Sequence, residues 1–148
     1  MTRSNRSIWL IFAIVLIMAV LSNLSRFRHT KDAVPWRADF AAAQLESQRT
    51  HKPMLAYFTA SWCGYCQDMH RDTWSNAKVA EALNDYIPVE IDVDAHQDLA
   101  KRFNINGMPS YAVLDQQGNV VRFGEGYRDS GGFIAWLHEI GNSSGAGI

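Results

Sequence analysis

Hydrophobic positions follow two different patterns along this chain. From Ile8 to Leu21 apolar residues run without a break, and the 19 residues between Arg6 and Arg26 carry no charge. Wound as a helix at about 1.5 Å per residue, that stretch spans roughly 28 Å, close to the hydrocarbon thickness of a bilayer. It has no polar face for a soluble domain to expose, which argues against a buried core helix. Arg3 and Arg6 form a basic start, and Trp9 sits where an interfacial aromatic would. Residues 1–24 are therefore expected to be a signal anchor or transmembrane helix, with residues 8–24 in the lipid bilayer. The alternative is a cleaved signal peptide that leaves a soluble exported protein, for which Val20-Leu21-Ser22 is a mediocre cleavage match. Arg26, Arg28 and Lys31 on the far side balance Arg3 and Arg6, so charge alone does not orient the span.

The remainder alternates short apolar runs with helical spacing. Residues 25–35 are polar and basic and read as a tether. Residues 36–141 read as one compact domain. Asp39 to Arg49 is rich in Ala, Gln, Glu and Leu and predicts a helix, broken by Pro53. Met54 to Ala60 predicts a strand buried on both faces. A helix is expected from Cys63 to about Thr73, and another over Ala77 to Asp85 capped by Asn76. Ile87 to Val93 predicts a second strand, and Asp94 or Ala95 opens a helix to Phe103. Ser110 to Leu114 and Val120 to Phe123 flank Asp115-Gln116-Gln117-Gly118-Asn119, a hairpin signal. Asp129 or Ser130 caps a last helix through Ile140, and residues 142–148 are expected to be a flexible tail. This order predicts an α/β layer fold with a central mixed sheet flanked by helices.

Composition narrows the function classes. A chain of 148 residues has the size of one domain. With 14 Lys+Arg against 15 Asp+Glu, it lacks the basic excess of a nucleic-acid binder, so no nucleic-acid partner is expected. Two cysteines exclude a disulfide-dense scaffold and a four-thiolate zinc or iron–sulfur site within one chain.

Those two cysteines carry the candidate chemistry. Cys63-Gly64-Tyr65-Cys66 lies where the first buried strand turns into a helix, preceded by Trp62. Residues i and i+3 share a face at a helix start, so the sulfurs can close a small ring. The amino end of the helix favours a thiolate on Cys63, making it the exposed nucleophile and Cys66 the shielded resolving thiol. A purely structural disulfide across two residues would remove little loop entropy. A haem site would need His at position 67, which is Gln. The stronger rival is a metal site: His70, four residues after Cys66 on the same face, would complete a Cys63, Cys66, His70 set for copper or zinc.

The run Phe58-Thr59-Ala60-Ser61-Trp62-Cys63-Gly64-Tyr65-Cys66 and the Gly107-Met108-Pro109-Ser110 stretch, with Pro109 43 residues after Cys66, closely resemble the thioredoxin-like family. Lys52-Pro53 and Thr73-Trp74-Ser75 add to the match, which covers about residues 38–140. It is closest to the C-terminal periplasmic domain of bacterial transmembrane thiol–disulfide interchange reductases. The resemblance implies a thioredoxin fold, catalytic Cys63 and Cys66, and Trp62, Gly64, Tyr65, Met108 and Pro109 as supporting residues. Pro109 would be cis, with the Met108 backbone pairing with an extended substrate. It also implies that the domain faces the periplasm from a single-pass anchor in a bacterial inner membrane.

Departures from the family pattern fall on proton handling. Thioredoxins carry a buried Asp six residues before the first cysteine, where this chain has Tyr57; the reductase domain has an acidic residue where this chain has His70; and Glu90 stands at the position of a thioredoxin lysine. Glu90 or His70 is thus expected to handle the proton of Cys66, against the plainer alternatives of a solvated strand-end Glu90 and a His70 facing water. Trp36, Trp74 and Trp136 are expected in the core or lining the groove, and Gly124 and Gly126 at close backbone approaches. The resulting expectation is a membrane-anchored thiol–disulfide oxidoreductase that reduces exported proteins containing disulfides. A membrane electron donor or another redox partner would recharge it, and neither cofactor nor metal is required. The alternatives are the copper or zinc carrier, and an isomerase or oxidase. CGYC resembles the site of a bacterial disulfide isomerase, although that enzyme also uses a dimerisation domain that these residues do not include.

Overall fold

The computed structural model describes residues 32–143 and the single position 14. Apart from that position, the expected anchor over 1–24, the tether up to residue 31 and residues 144–148 lie outside the described residues. Among the described residues no helix is long and apolar enough to cross a membrane.

Helix α1 spans Phe40–Thr50, its first turn capped by the Asp39 carboxylate, which accepts from the Ala42 N–H at 3.0 Å. It stops at His51, whose φ of 58° is left-handed, with Pro53 two residues on. Strand β1 follows over Met54–Thr59, every residue buried. Strand β2, Ile87–Asp92, pairs with it in parallel, and β3, Ser110–Leu114, in antiparallel. Strand β4, Val120–Glu125, completes a four-stranded mixed sheet of order β2-β1-β3-β4. The apolar run of Met54–Thr59 therefore takes a central position, buried on both faces.

Period-two alternation splits β1 between two cores. Leu55 and Tyr57 face one cluster with Trp74, Val79, Tyr111, Val113, Phe133 and Trp136. Met54, Ala56 and Phe58 face another with Phe40, Val89, Ile91 and Leu114. Of the three tryptophans singled out in the sequence, Trp74 and Trp136 are buried and Trp36 is half-buried against the first cluster. Gly124 passes so near the Tyr111 ring that a Cβ would stand 2.3 Å from its Cε2 atom. Gly126 differs from expectation: nothing lies within 4 Å of its would-be Cβ, and its φ of 85° is what calls for glycine.

The helix that begins at the cysteines does not run straight to Thr73. Helix α2, Gly64–Met69, passes into a π-helical turn over His70–Trp74, and helix α3, Ala77–Ala82, follows with Asn76 as its cap. The cause is which side chains must go inside. Met69 and Trp74 are five residues apart and both fully buried. An α-helix of about 3.6 residues per turn would point them in different directions, whereas i→i+5 winding aligns them. Helix α4 covers Gln97–Arg102, starting later than expected, and α5 runs over Ser130–Ser143, past the expected end at Ile140.

Candidate active site

The chain leaves β1 at Thr59 and turns sharply, the Cys63 N–H donating to the Ala60 carbonyl at 3.1 Å. Cys63 is the N-cap of α2: its Sγ accepts from the Cys66 N–H at 3.2 Å. Cys63 and Cys66 are joined in a disulfide with their Cα atoms 5.2 Å apart. The contrast expected between an exposed and a shielded sulfur is small in this joined form, at 6% exposure for Cys63 and 1% for Cys66. What is open is the collar around them. Trp62 and Tyr65 are each 66% exposed, and Gly64 between the cysteines leaves free space where a Cβ would lie.

Trp62 is held by its indole N–H, which donates to Asp94 Oδ2 at 2.8 Å. A cleft of about 720 Å³ runs from Trp62 past Asp94, Gln97 and Lys101 to Gly107 and Met108, so the two supporting loops border one groove. The Met108–Pro109 peptide is cis. Pro109 is buried, its carbonyl accepts from the Gly126 N–H at 2.8 Å, and Ser110 Oγ donates to the Gly107 carbonyl at 2.7 Å. Met108 packs on the buried cluster that contains both cysteines.

Beneath the pair lies a polar group formed by Tyr57, His70, Glu90 and Asp32. Tyr57 is fully buried, its hydroxyl donating to the Cys66 carbonyl at 3.4 Å. Burial pushes its phenol up to about 12, so it stays neutral and cannot serve as a base near pH 7. His70 packs edge-on against the Tyr57 ring. Its Nδ1 meets Asp32 Oδ2 at 2.8 Å and its Nε2 stands 3.7 Å from Glu90 Oε1. Glu90 faces Tyr57 across the β1–β2 register. His70 thus faces two carboxylates rather than water. Burial lowers its proton affinity, but the Asp32 hydrogen bond and the charges of Asp32 and Glu90 outweigh that and raise it. Glu90 is raised as well, by burial first, with His70 opposing and Asp32 and Asp92 adding. Asp32 falls in the polar stretch of residues 25–35 expected to be a tether, and nothing local marks it.

Among the described residues, the group whose ligand atoms converge, all within 4.8 Å, is Asp32, His70 and Glu90 rather than Cys63, Cys66 and His70. In this joined form the sulfurs bond each other and the imidazole Nδ1 meets Asp32.

A group whose proton affinity rises on folding stabilises the fold while protonated in both states, and that contribution fades as pH climbs past its unfolded value toward its folded one. His70 has this sign, so its contribution is full below about pH 6.5 and is lost above it. The melting temperature is expected to drop between pH 6 and pH 8.5 by on the order of a few degrees, and His70→Gln should flatten that slope. A slope unchanged by the substitution would place the titration elsewhere.

The family model described as "Thioredoxin-like domain" matches residues 40–141. Thiol:disulfide interchange protein DsbD of Cronobacter sakazakii is 32% identical over 98 residues, 62% of this chain and 17% of that protein. Its counterpart in Ralstonia nicotianae is 38% identical over 74 residues, 47% of this chain and 12% of that protein. The chain thus spans about a sixth or less of the length of these relatives. Among solved structures, the reduced C-terminal domain of DsbD from Neisseria meningitidis aligns with a TM-score of 0.57 at 26% identity, covering 69% of this chain and 96% of that one. A thioredoxin from Thermus thermophilus reaches a TM-score of 0.67 at 24% identity over 77% of this chain and 92% of that one, a likeness of fold.

Proposed function

This chain belongs to the thioredoxin-like family, and we propose from that membership that it is a thiol–disulfide oxidoreductase working as a reductase of exported proteins. The observation that carries the reading is a joined cysteine pair at the head of a helix, framed by exposed side chains and a groove. In the reduced protein the Cys66 N–H that reaches Cys63 Sγ stabilises a thiolate there, because a hydrogen bond to an ionised sulfur is stronger than one to a thiol. The Cys63 thiolate attacks a substrate disulfide, forming a Cys63–substrate bond and releasing one substrate thiolate. Cys66 then loses its proton and attacks Cys63 Sγ. The Cys63–Cys66 bond forms, the second substrate thiolate leaves, and two electrons have passed to the substrate. A partner must return those electrons before the next cycle.

Trp62, Gly64, Tyr65, Met108 and Pro109 shape the approach to Cys63, and His70 with Glu90 receives the proton of Cys66. Tyr57, neutral and donating to the Cys66 carbonyl, leaves that task to them. Residues 1–24 anchor the domain of residues 36–141 in a bacterial inner membrane through the tether of residues 25–35. The relatives named as interchange proteins support placing the domain in the periplasm, near a membrane electron donor. Running the same chemistry in reverse would oxidise thiols, so the direction depends on the partner.

The reduced chain is expected to precipitate insulin by cleaving its disulfides when dithiothreitol resupplies electrons. It should take up no stoichiometric Cu⁺ or Zn²⁺ on its thiols under the same conditions. Tight metal uptake with no disulfide cleavage would overturn the reading in favour of a metal carrier.

A further inference from the structure

The segment just before the folded domain is stitched to the active-site helix. The N–H groups of Ala33 and Val34 both donate to the Trp74 carbonyl, at 2.8 and 3.3 Å, and Val34 is buried. Arg37 bridges to Val89 on β2, and its guanidinium pairs with Glu46 on α1. These contacts set Asp32 against the π turn. There its Oδ2 meets His70 Nδ1, while among the described residues its buried Oδ1 has no hydrogen-bond partner. A carboxylate with its side chain only 17% exposed, held through one oxygen by an imidazole, depends on that ring carrying a proton.

We propose that Asp32 is a positioning residue for the reaction: it holds the Nδ1–H of His70, fixes the ring with Nε2 toward Glu90, and so sets the pH at which the proton of Cys66 is accepted. The inference rests on the reading of His70 and Glu90 as the proton acceptors. The logic is that of a carboxylate–imidazole pair. A hydrogen bond at one ring nitrogen decides the tautomer and makes the other nitrogen a better base. His70 follows Cys66 by four residues, which places the two side chains on one helical face. Glu90 gives the pair an outlet. It lines a cleft of about 360 Å³ with Trp36, Arg37, Asp92 and His96, open to solvent. The titratable or charged groups facing His70 are thus Asp32 from the preceding segment, Tyr57 from β1 and Glu90 from β2, with Asp92 and His96 beyond Glu90. With Nδ1 already engaged at 2.8 Å, the cluster is arranged to hold a proton.

The test uses the full chain in detergent, reduced and then mixed with 5,5′-dithiobis(2-nitrobenzoate). The first thionitrobenzoate released reports Cys63. The second, released when Cys66 attacks the mixed disulfide, reports the step that needs a proton acceptor. Asp32→Asn keeps the shape of the side chain and removes its charge. The first phase should be unchanged. The acid limb of the second phase should move to lower pH, and its plateau should fall on the order of threefold, because a less basic imidazole is a weaker acceptor. Asp32→Glu should restore much of both. In parallel, the His70 imidazole, assigned by its loss in His70→Gln, should titrate at lower pH in Asp32→Asn when followed by NMR.

An unmoved His70 titration overturns the inference while leaving the oxidoreductase reading intact. A moved titration with an unmoved second phase removes His70 from the proton path, and the inference with it. Absence of any second release in the unaltered chain refutes the dithiol chemistry itself.

Discussion

Cys66→Ser is expected to stop turnover while leaving the chain covalently attached to its substrates, and Cys63→Ser to stop turnover with nothing attached. The two substitutions separate because the sulfurs occupy different positions in one short turn. Cys63 caps α2 and receives the Cys66 N–H on its sulfur, with the open space at Gly64 beside it. Cys66 lies three residues further into the helix at 1% exposure, close enough to bond Cys63 and screened from larger partners. Removing the nucleophile should lower insulin reduction to background, a loss of at least about a thousandfold. Removing the resolving thiol should give the same loss of turnover, yet non-reducing gels should show adducts that dithiothreitol dissolves. Equal trapping by both variants would mean that either sulfur can attack first. That outcome would sink the assignment of roles.

Trp74→Ala should have the largest effect on stability. The indole is fully buried, its ring 4.9 Å from Tyr57, 4.8 Å from Phe133 and 5.1 Å from Trp36, while its backbone carbonyl holds Ala33 and Val34. Truncating a buried tryptophan costs roughly 3–5 kcal/mol, a large share of the about 5–15 kcal/mol that holds a typical domain together. The urea midpoint should drop steeply, and Trp74→Phe, which keeps a ring in the cavity, should lose much less. A small loss in Trp74→Ala would mean that the π turn refolds into ordinary helix with another side chain in the gap.

How far the sequence could be read follows from how local each signal is. β1 declares itself because Met54 to Ala60 is a short apolar run just after Pro53, and all six residues of Met54–Thr59 are buried. The β3–β4 hairpin declares itself because Asp115 ties its own loop, accepting from the N–H groups of Gln117 and Asn119. The cysteine pair is legible for the same reason, four consecutive residues carrying the whole motif. The π turn was not. Its cause is the demand that Met69 and Trp74 both enter a core built by distant strands, and an α-helical period cannot express that demand. Asp32 was the harder miss, since its partner His70 is 38 positions away and its neighbours look like linker. The environment of His70 is half legible: Glu90 belongs to the pattern of the domain, but the second carboxylate, Asp32, comes from outside it.

The central place of β1 has a consequence for how the chain matures. Its partner on one side, β3, is made some fifty residues later, so the sheet cannot close until most of the domain has been synthesised. For that interval Cys63 and Cys66 stand in an unfinished, accessible polypeptide. With two cysteines in the sequence, three positions apart, each sulfur has one intramolecular partner and no wrong one to choose. Within these 148 residues, oxidation before folding therefore arrives at the native linkage, with no competing pairing to be undone.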